Sequence, residues 1–196
     1  MKSKIKFLSL IIISSLLISG CTTKYQQQNL NMNSNDIPTP SQTITTSSNT
    51  PKNDSIVSIK TKDGEIILKL YQDQAPNTVA NFIKKANDGF YKGLIFHRVI
   101  PSFMAQGGDP IGTGTGGGNQ KSEINNIPFV RGTIGLARGG DKTISNDSQF
   151  FICFTTEGCQ HLTGDYVNFG EVIFGLDVLD KINQGDNIID ITTKTK

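Results

Sequence analysis

The sequence predicts a mostly β domain, a closed antiparallel barrel with capping helices. Three observations point there. From Asp54 onward, short β-rich runs alternate with glycine-rich loops, only two stretches carry helical spacing, and no internal repeat is visible. The 196 residues include 20 glycines and no tryptophan, with 36% hydrophobic and 18% charged side chains. That balance excludes a wholly disordered chain, which has too little apolar content to close a core. A single apolar run excludes a polytopic membrane protein. The formal charge is +2. Three of the lysines (Lys2, Lys4, Lys6) crowd the first six residues, and the near-neutral remainder offers no clustered basic face for nucleic acid. Three cysteines are too few for a disulfide scaffold.

Taken in chain order, the first element is a leader. Lys2, Lys4 and Lys6 precede an apolar stretch from Phe7 to Ile18. Twelve helical residues cover about 18 Å, short of the roughly 30 Å hydrocarbon core, so residues 1–20 read as a signal peptide. Ile18-Ser19-Gly20-Cys21 resembles the lipobox of bacterial lipoproteins, which implies that Cys21 becomes a lipidated N-terminus. Multiple acyl chains would anchor it stably to a membrane. Of residues 22–53, 24 are Ser, Thr, Asn, Gln or Pro and five are apolar. No period of 2.0 or 3.6 emerges, so 21–53 is expected to be a disordered tether, with an r.m.s. reach of about 30 Å as coil.

Residues 54–196 form the predicted domain. Ile56–Ile59 and Ile66–Leu70 read as a hairpin turning at Asp63-Gly64. Pro76 opens a helix in a first-turn position; Val79, Phe82, Ile83 and Ala86 follow at 3–4 spacing, and Gly89 ends it. Strands are expected at Leu94–Val99, Phe103–Gln106, Ile134–Ala137, Gln149–Phe154, Glu171–Phe174 and Ile188–Thr192. A second helix is expected at Leu176–Ile182, ended by Gly185.

Chemistry concentrates in Phe96-His97-Arg98-Val99-Ile100-Pro101-Ser102-Phe103-Met104-Ala105-Gln106-Gly107-Gly108-Asp109. Downstream, Ser148-Gln149-Phe150-Phe151-Ile152 puts Gln149 and Phe151 on one strand face and Phe150 on the other. His161-Leu162-Thr163-Gly164 and Phe169-Gly170 follow. These segments, in this order and with Gly114-Thr115-Gly116-Gly117, resemble the cyclophilins over residues 55–193. Those proteins are peptidyl-prolyl cis-trans isomerases built on an eight-stranded barrel. The resemblance implies a closed eight-stranded antiparallel β-barrel capped by two α-helices. It makes Arg98 the catalytic guanidinium, with Phe103, Met104, Phe151 and Leu162 enclosing the substrate proline. Gln106 and Gln149 would orient the peptide backbone. His97 and His161 lie in the site by resemblance, with Ala137, Arg138 and Tyr166 on its rim.

The physics agrees. Isomerising an X–Pro bond breaks amide resonance, over a barrier of about 18–20 kcal/mol, and needs no nucleophile, metal or cofactor. A fixed donor aimed at the pyramidal proline nitrogen favours the twisted amide alone. Arginine stays protonated and presents a rigid fork, and an apolar surround strengthens the contact. The expected partners are proline-containing peptides and unfolded exported proteins, with the membrane reached through the lipid and no nucleic acid. A lipid-anchored, extracytoplasmic monomer is the expectation.

Some residues depart from the family pattern. His161 stands where many eukaryotic members carry tryptophan, Tyr166 where histidine is common, and Arg138 where asparagine is common. Asn146-Asp147 replaces a glycine before Ser148. Other readings are weaker. Gly112–Gly117 fits G-x-G-x-x-G formally but no helix follows, and Gln120 before Lys121-Ser122 disqualifies a P-loop. His97 and His161 have no ligand-like neighbours, so no metal site is expected. An exported setting permits a Cys153–Cys159 disulfide, but a buried Cys153 thiol and a free Cys159 are expected. A rival function is a peptide-binding or chaperone module without turnover, against which the Arg98, Phe103, Gln106 and Phe151 set argues.

Overall fold

The computed structural model describes residues 55–194. The expected leader, Cys21 and tether therefore lie outside the described residues. Strands β1 (Ser55–Thr61) and β2 (Gly64–Leu70) form the expected hairpin, in register from Ser55 opposite Leu70 to Thr61 opposite Gly64. The two turn residues are Lys62 and Asp63 rather than Asp63 and Gly64. Thr61 Oγ1 bridges the turn, accepting from Asp63 N and donating to Gly64 O.

Helix α1 (Pro76–Asn87) buries Thr78, Val79, Phe82 and Ala86, the stripe its spacing predicts. Ala75 supplies no side-chain cap. Glu123 does so from 46 residues away, accepting from the backbone N–H of Asn77 at 3.1 Å and of Thr78 at 2.8 Å. This satisfies donors that a helix start leaves open. Burial works to raise the Glu123 carboxyl, but these donors outweigh it and hold its pKa below the usual range.

Then come β3 (Arg98–Ile100), β4 (Met104–Gly107), β5 (Asn119–Lys121), β6 (Thr133–Leu136), β7 (Ile144–Asn146) and β8 (Phe150–Cys153). A single turn, α2 (Thr156–Cys159), leads into a 3-10 turn (Gln160–Leu162). Strand β9 (Asn168–Phe174), α3 (Leu176–Leu179) and β10 (Asp190–Lys194) complete the chain. The expected second helix over 176–182 is shorter than its apolar pattern suggested. After Leu179 it tightens into i→i+3 turns, with Lys181 N bonded to Val178 O and Ile182 N to Leu179 O.

Eight strands form one antiparallel sheet in the order β10-β1-β2-β9-β6-β8-β4-β3, and β5 pairs with β7 separately. The fold is mostly β, but the sheet is curled and open, not the closed barrel the sequence suggested. Edge strands β3 and β10 do not pair. Their sides meet upstream of both, where Phe96 N bonds to Asp186 O at 2.9 Å and Ile188 N to Leu94 O at 2.7 Å. The only ladder element there is an isolated bridge between Ile95 and Asn187. Pro101 follows β3 and opens the turn that returns the chain into β4, with Phe103 N bonded to Ile100 O at 3.1 Å. Leu94–Phe96, expected as strand, spans this seam instead.

Pleating sorts the side chains onto two faces. Ala105, Ile152, Ile134, Gly170 and Leu70 run across β4, β8, β6, β9 and β2, and the four side chains are fully buried in the main core with Phe82, Phe150 and Phe169. The opposite face carries a second cluster of Met104, Phe129, Phe151, Cys153, Cys159 and Leu162. It lies over strands β4, β6 and β8, and it carries the site.

Candidate active site

Antiparallel register brings the expected residues into one row. Arg98 on β3 faces Gln106 on β4, Gln106 faces Phe151 on β8, and Phe151 faces Gly135 on β6. Residues directly opposite share a face, so an exposed guanidinium, an amide and an aromatic ring stand side by side. The next row is Ile100, Met104 and Cys153. Gly135 leaves room on the sheet for Phe129, whose ring stacks on Phe151 with centroids 5.5 Å apart. Tyr166 meets the Phe151 ring edge-on at 5.7 Å.

Between these groups lies a pocket of about 110 Å³. Its apolar wall is Phe103, Met104, Phe151 and Leu162, and its polar wall is Arg98 and Gln106. Ala137, Arg138 and Tyr166 close the third side. The volume is far below that of a drug-sized cavity and suits one small ring or side chain. A wider pocket of about 410 Å³ adjoins it, sharing Gln106, Ala137 and Arg138 and bounded further by Gln149, Asn146 and Asp141.

The polar wall is a one-directional chain of donors. Arg98 Nη1 donates to Gln106 Oε1 at 3.2 Å, and Gln106 Nε2 donates to Gln149 Oε1 at 2.9 Å. Gln149 Nε2 donates to the carbonyls of Gly116 (2.8 Å) and Gly114 (3.2 Å). A guanidinium only donates and a carbonyl only accepts, so both amides have one consistent orientation.

The glycine loop from Gly112 to Gly118 that ends this chain is clamped by two polar residues. Asp109 is almost fully buried and accepts from the backbone N–H of Ile111 and Gly114. Burial works to raise its pKa, but these donors and Gly116 N–H outweigh it and hold the carboxyl below its usual range. A Cβ at Gly116 would stand 2.0 Å from Asp109 Oδ1, so only glycine fits. Asn146 Oδ1 accepts from Ser148 N and Gln149 N, while its Nδ2 donates to Gly116 O. The Asn146-Asp147 departure thus supplies an Asx turn that closes the loop onto β8.

Nine of the expected site residues gather at the small pocket, and Gln149 supports it from the wider one. His97 and His161 line neither pocket. Both His97 ring nitrogens are buried without a hydrogen-bond partner among the described residues, and the ring lies beside the Gly114 backbone. Burial lowers its pKa, Asp109 opposes that shift, and Arg98 adds to it. His161 is exposed and packs its ring 5.7 Å from Phe103.

The structure also corrects the cysteine expectation. Cys153 and Cys159 form a disulfide with Cα atoms 6.1 Å apart. The α2 turn, capped by Thr155 Oγ1 on Gly158 N, carries Cys159 back over the face where Cys153 points. Phe129 and Gly135 were not legible as site residues. Phe129 lies in a segment without strand pattern, and Gly135 is one of 20 glycines.

Residues 56–195 match the family model described as "Cyclophilin type peptidyl-prolyl cis-trans isomerase/CLD". A peptidyl-prolyl cis-trans isomerase of Synechococcus elongatus is 45% identical over 141 residues, covering 70% of this chain and 94% of that protein. One from Helicobacter pylori is 48% identical over 136 residues, covering 66% and 81%. The crystal structure of a Cryptosporidium parvum cyclophilin type peptidyl-prolyl cis-trans isomerase matches with a TM-score of 0.67 at 33% identity, covering 73% of this chain and 99% of that one. With its ordered sheet, its pocket and these likenesses in agreement, the chain belongs to the cyclophilin-type peptidyl-prolyl cis-trans isomerases.

Proposed function

We propose that this isomerase works on exported proteins from a lipid anchor at Cys21, outside the cytoplasm of a bacterium, and that Arg98 drives its chemistry. The observation that carries the mechanism is the shared row of Arg98, Gln106 and Phe151 beside a single-ring pocket. The Cryptosporidium relative was also crystallised in the presence of the dipeptide Ala-Pro, which supports proline as the pocket's occupant here. With the ring held by Phe103, Met104, Phe151 and Leu162, the scissile-free reaction is a rotation about the imide bond. As the amide twists, its nitrogen becomes pyramidal and recovers a lone pair. Arg98, tethered through Gln106, donates to that nitrogen and stabilises only the twisted form. Gln106 holds the peptide backbone, its amide fixed from behind by the buried Gln149, so the rotation is confined to one side of the bond.

Exported chains meet X–Pro steps that take tens of seconds or more uncatalysed. The run of Lys2, Lys4 and Lys6, the apolar stretch to Ile18 and Ser19-Gly20-Cys21 support the anchor, with residues 21–53 as tether and residues 54–196 acting as a monomer. The Cys153–Cys159 disulfide suits an oxidising compartment. Two measurements test the proposal. A proline tetrapeptide assay comparing wild type with Arg98→Ala should show turnover falling roughly a hundred- to a thousandfold, with the fold intact. Equal rates would favour the non-catalytic peptide-binding module and overturn the mechanism. Metabolic palmitate labelling of cells should label the wild type but not Cys21→Ser, and label on neither would remove the anchor.

A further inference from the structure

The proline pocket carries a second guanidinium that the isomerisation does not use. Of the residues that line it, Arg98 and Arg138 are the only charged ones. Arg98 is engaged by Gln106. Arg138 stands where the small pocket opens into the wider one, and it lines both.

Its head group is held on three sides. The guanidinium lies 4.4 Å over the Tyr166 ring. Nε donates to Asp165 O at 2.8 Å, and Nη1 donates to Gly139 O at 2.8 Å and to Gly140 O at 3.4 Å. Nη2 makes no hydrogen bond among the described residues, so two N–H groups of a pre-oriented fork stay unused. Two neighbouring carboxylates, Asp165 and Asp141, feel the Arg138 charge, but neither hydrogen-bonds Nη2 and each has other partners. Asp165 pairs with Lys142, and Asp141 Oδ1 accepts from both Thr143 N and Thr143 Oγ1 at 2.8 Å.

We infer that Arg138 is a specificity residue that selects peptides with a carboxylate side chain next to, or one residue removed from, the isomerised proline. The inference rests on proline occupying the pocket floored by Phe151. A residue beside that proline lies within about 3.8 Å of it along the chain, which brings its side chain to the mouth where Arg138 stands. A guanidinium already fixed by stacking and carbonyl bonds loses little freedom on meeting a carboxylate, and its fork matches two carboxylate oxygens. The setting is half-exposed, so the selectivity is modest, about three- to tenfold.

The test uses the full chain and tetrapeptides carrying Glu or Gln at each position flanking proline, with every rate corrected for the uncatalysed reaction. The ratio of kcat/KM for the Glu and Gln peptides is read, not the absolute rate. In the wild type the ratio should reach at least about three at one position, and it should fall toward one in 1 M salt, where screening acts within about 3 Å. Arg138→Asn should bring it to about one, and Arg138→Lys should retain part of it. A purely structural role for Arg138 would change both peptides by the same factor and leave the ratio where it was. A wild-type ratio near one at every position, with both peptides turned over, overturns the inference and leaves the isomerase reading standing. So does a ratio that survives Arg138→Asn. Absence of turnover of both peptides at every position by the wild type would overturn both.

Discussion

Arg98 sits at the open end of a polar chain whose other end is backbone, and that asymmetry sets what substitutions there should do. Gln106 and Gln149 relay the position of the Gly114 and Gly116 carbonyls to the guanidinium, so its direction is fixed by the glycine loop. Arg98→Lys keeps the charge but loses the fork that reaches Gln106 and, in the proposed mechanism, the imide nitrogen with it. Its kcat/KM should fall well below wild type yet stay above that of Arg98→Ala, with melting temperatures alike. A lysine enzyme as active as wild type would show that charge alone suffices. His97 makes a different prediction. Burial lowers its pKa from the usual 6.5, so as pH falls below about 6.5 the unfolded chain takes up the proton before the folded one. Stability therefore drops as pH falls from about 6.5 to the folded value, and His97 contributes no pH dependence above that window. Thermal melts between pH 5 and 8 should show this decline in the wild type and a shallower one in His97→Gln. Turnover should be flat from about pH 7 to 8, because burial holds His97 below its usual pKa and the proposed rotation moves no proton. A steep bell in that range would indicate acid–base chemistry.

Strands β6 and β8 shape the pocket through what β6 lacks. A Cβ on Gly135 would lie 2.6 Å from Phe151 Cζ and 2.7 Å from Phe129 Cε1, so alanine must displace one ring or both. Gly135→Ala should cost about 1–3 kcal/mol by overpacking and should raise KM as Phe151 shifts into the pocket. Adding Phe129→Leu, which vacates space beside the new methyl, should restore part of each. If the single variant melts and turns over as wild type does, the stack does not position Phe151. The α2 turn is tied to β8 by Cys153–Cys159, just before the 3-10 turn that carries Leu162 to the pocket wall. Closing so short a loop gives about 2 kcal/mol in the chain-entropy account. Cys153→Ser with Cys159→Ser should lower the melting temperature by several degrees, as should dithiothreitol on the wild type but not on the double variant. A reductant effect on both would place its action elsewhere.

Across the whole molecule, what the sequence reveals is what local chain chemistry decides. The β1–β2 hairpin and α1 were legible because a turn and a 3–4 apolar stripe are written in adjacent residues, and the candidate site was named through a family resemblance carried mostly by two dense segments. The open seam was not. Whether β3 meets β10 depends on residues 185–188 binding 93–96, partners some 90 residues apart. The β5–β7 pair joins three-residue strands with no apolar alternation to mark them, and Glu123 caps α1 from a distance no local pattern records. Residues 55–194 by themselves supply two apolar clusters, a strand partner on each side of β1 and the whole lining of the small pocket. A chain of residues 54–196 should therefore fold, melt at the temperature of the full protein and turn over a proline tetrapeptide at the same kcat/KM. A chain stopped at Gly185 should not fold. It loses β10, the pairing partner of β1, together with Ile188 and Ile191, which are essentially unexposed. Deleting such side chains costs about 2–5 kcal/mol each even when the backbone remains, against a total stability of about 5–15 kcal/mol. Far-ultraviolet circular dichroism with the tetrapeptide assay checks both chains. If the longer piece is unfolded, residues before 54 complete the domain; if the shorter one melts cooperatively, β10 is dispensable and the seam is not what closes the fold.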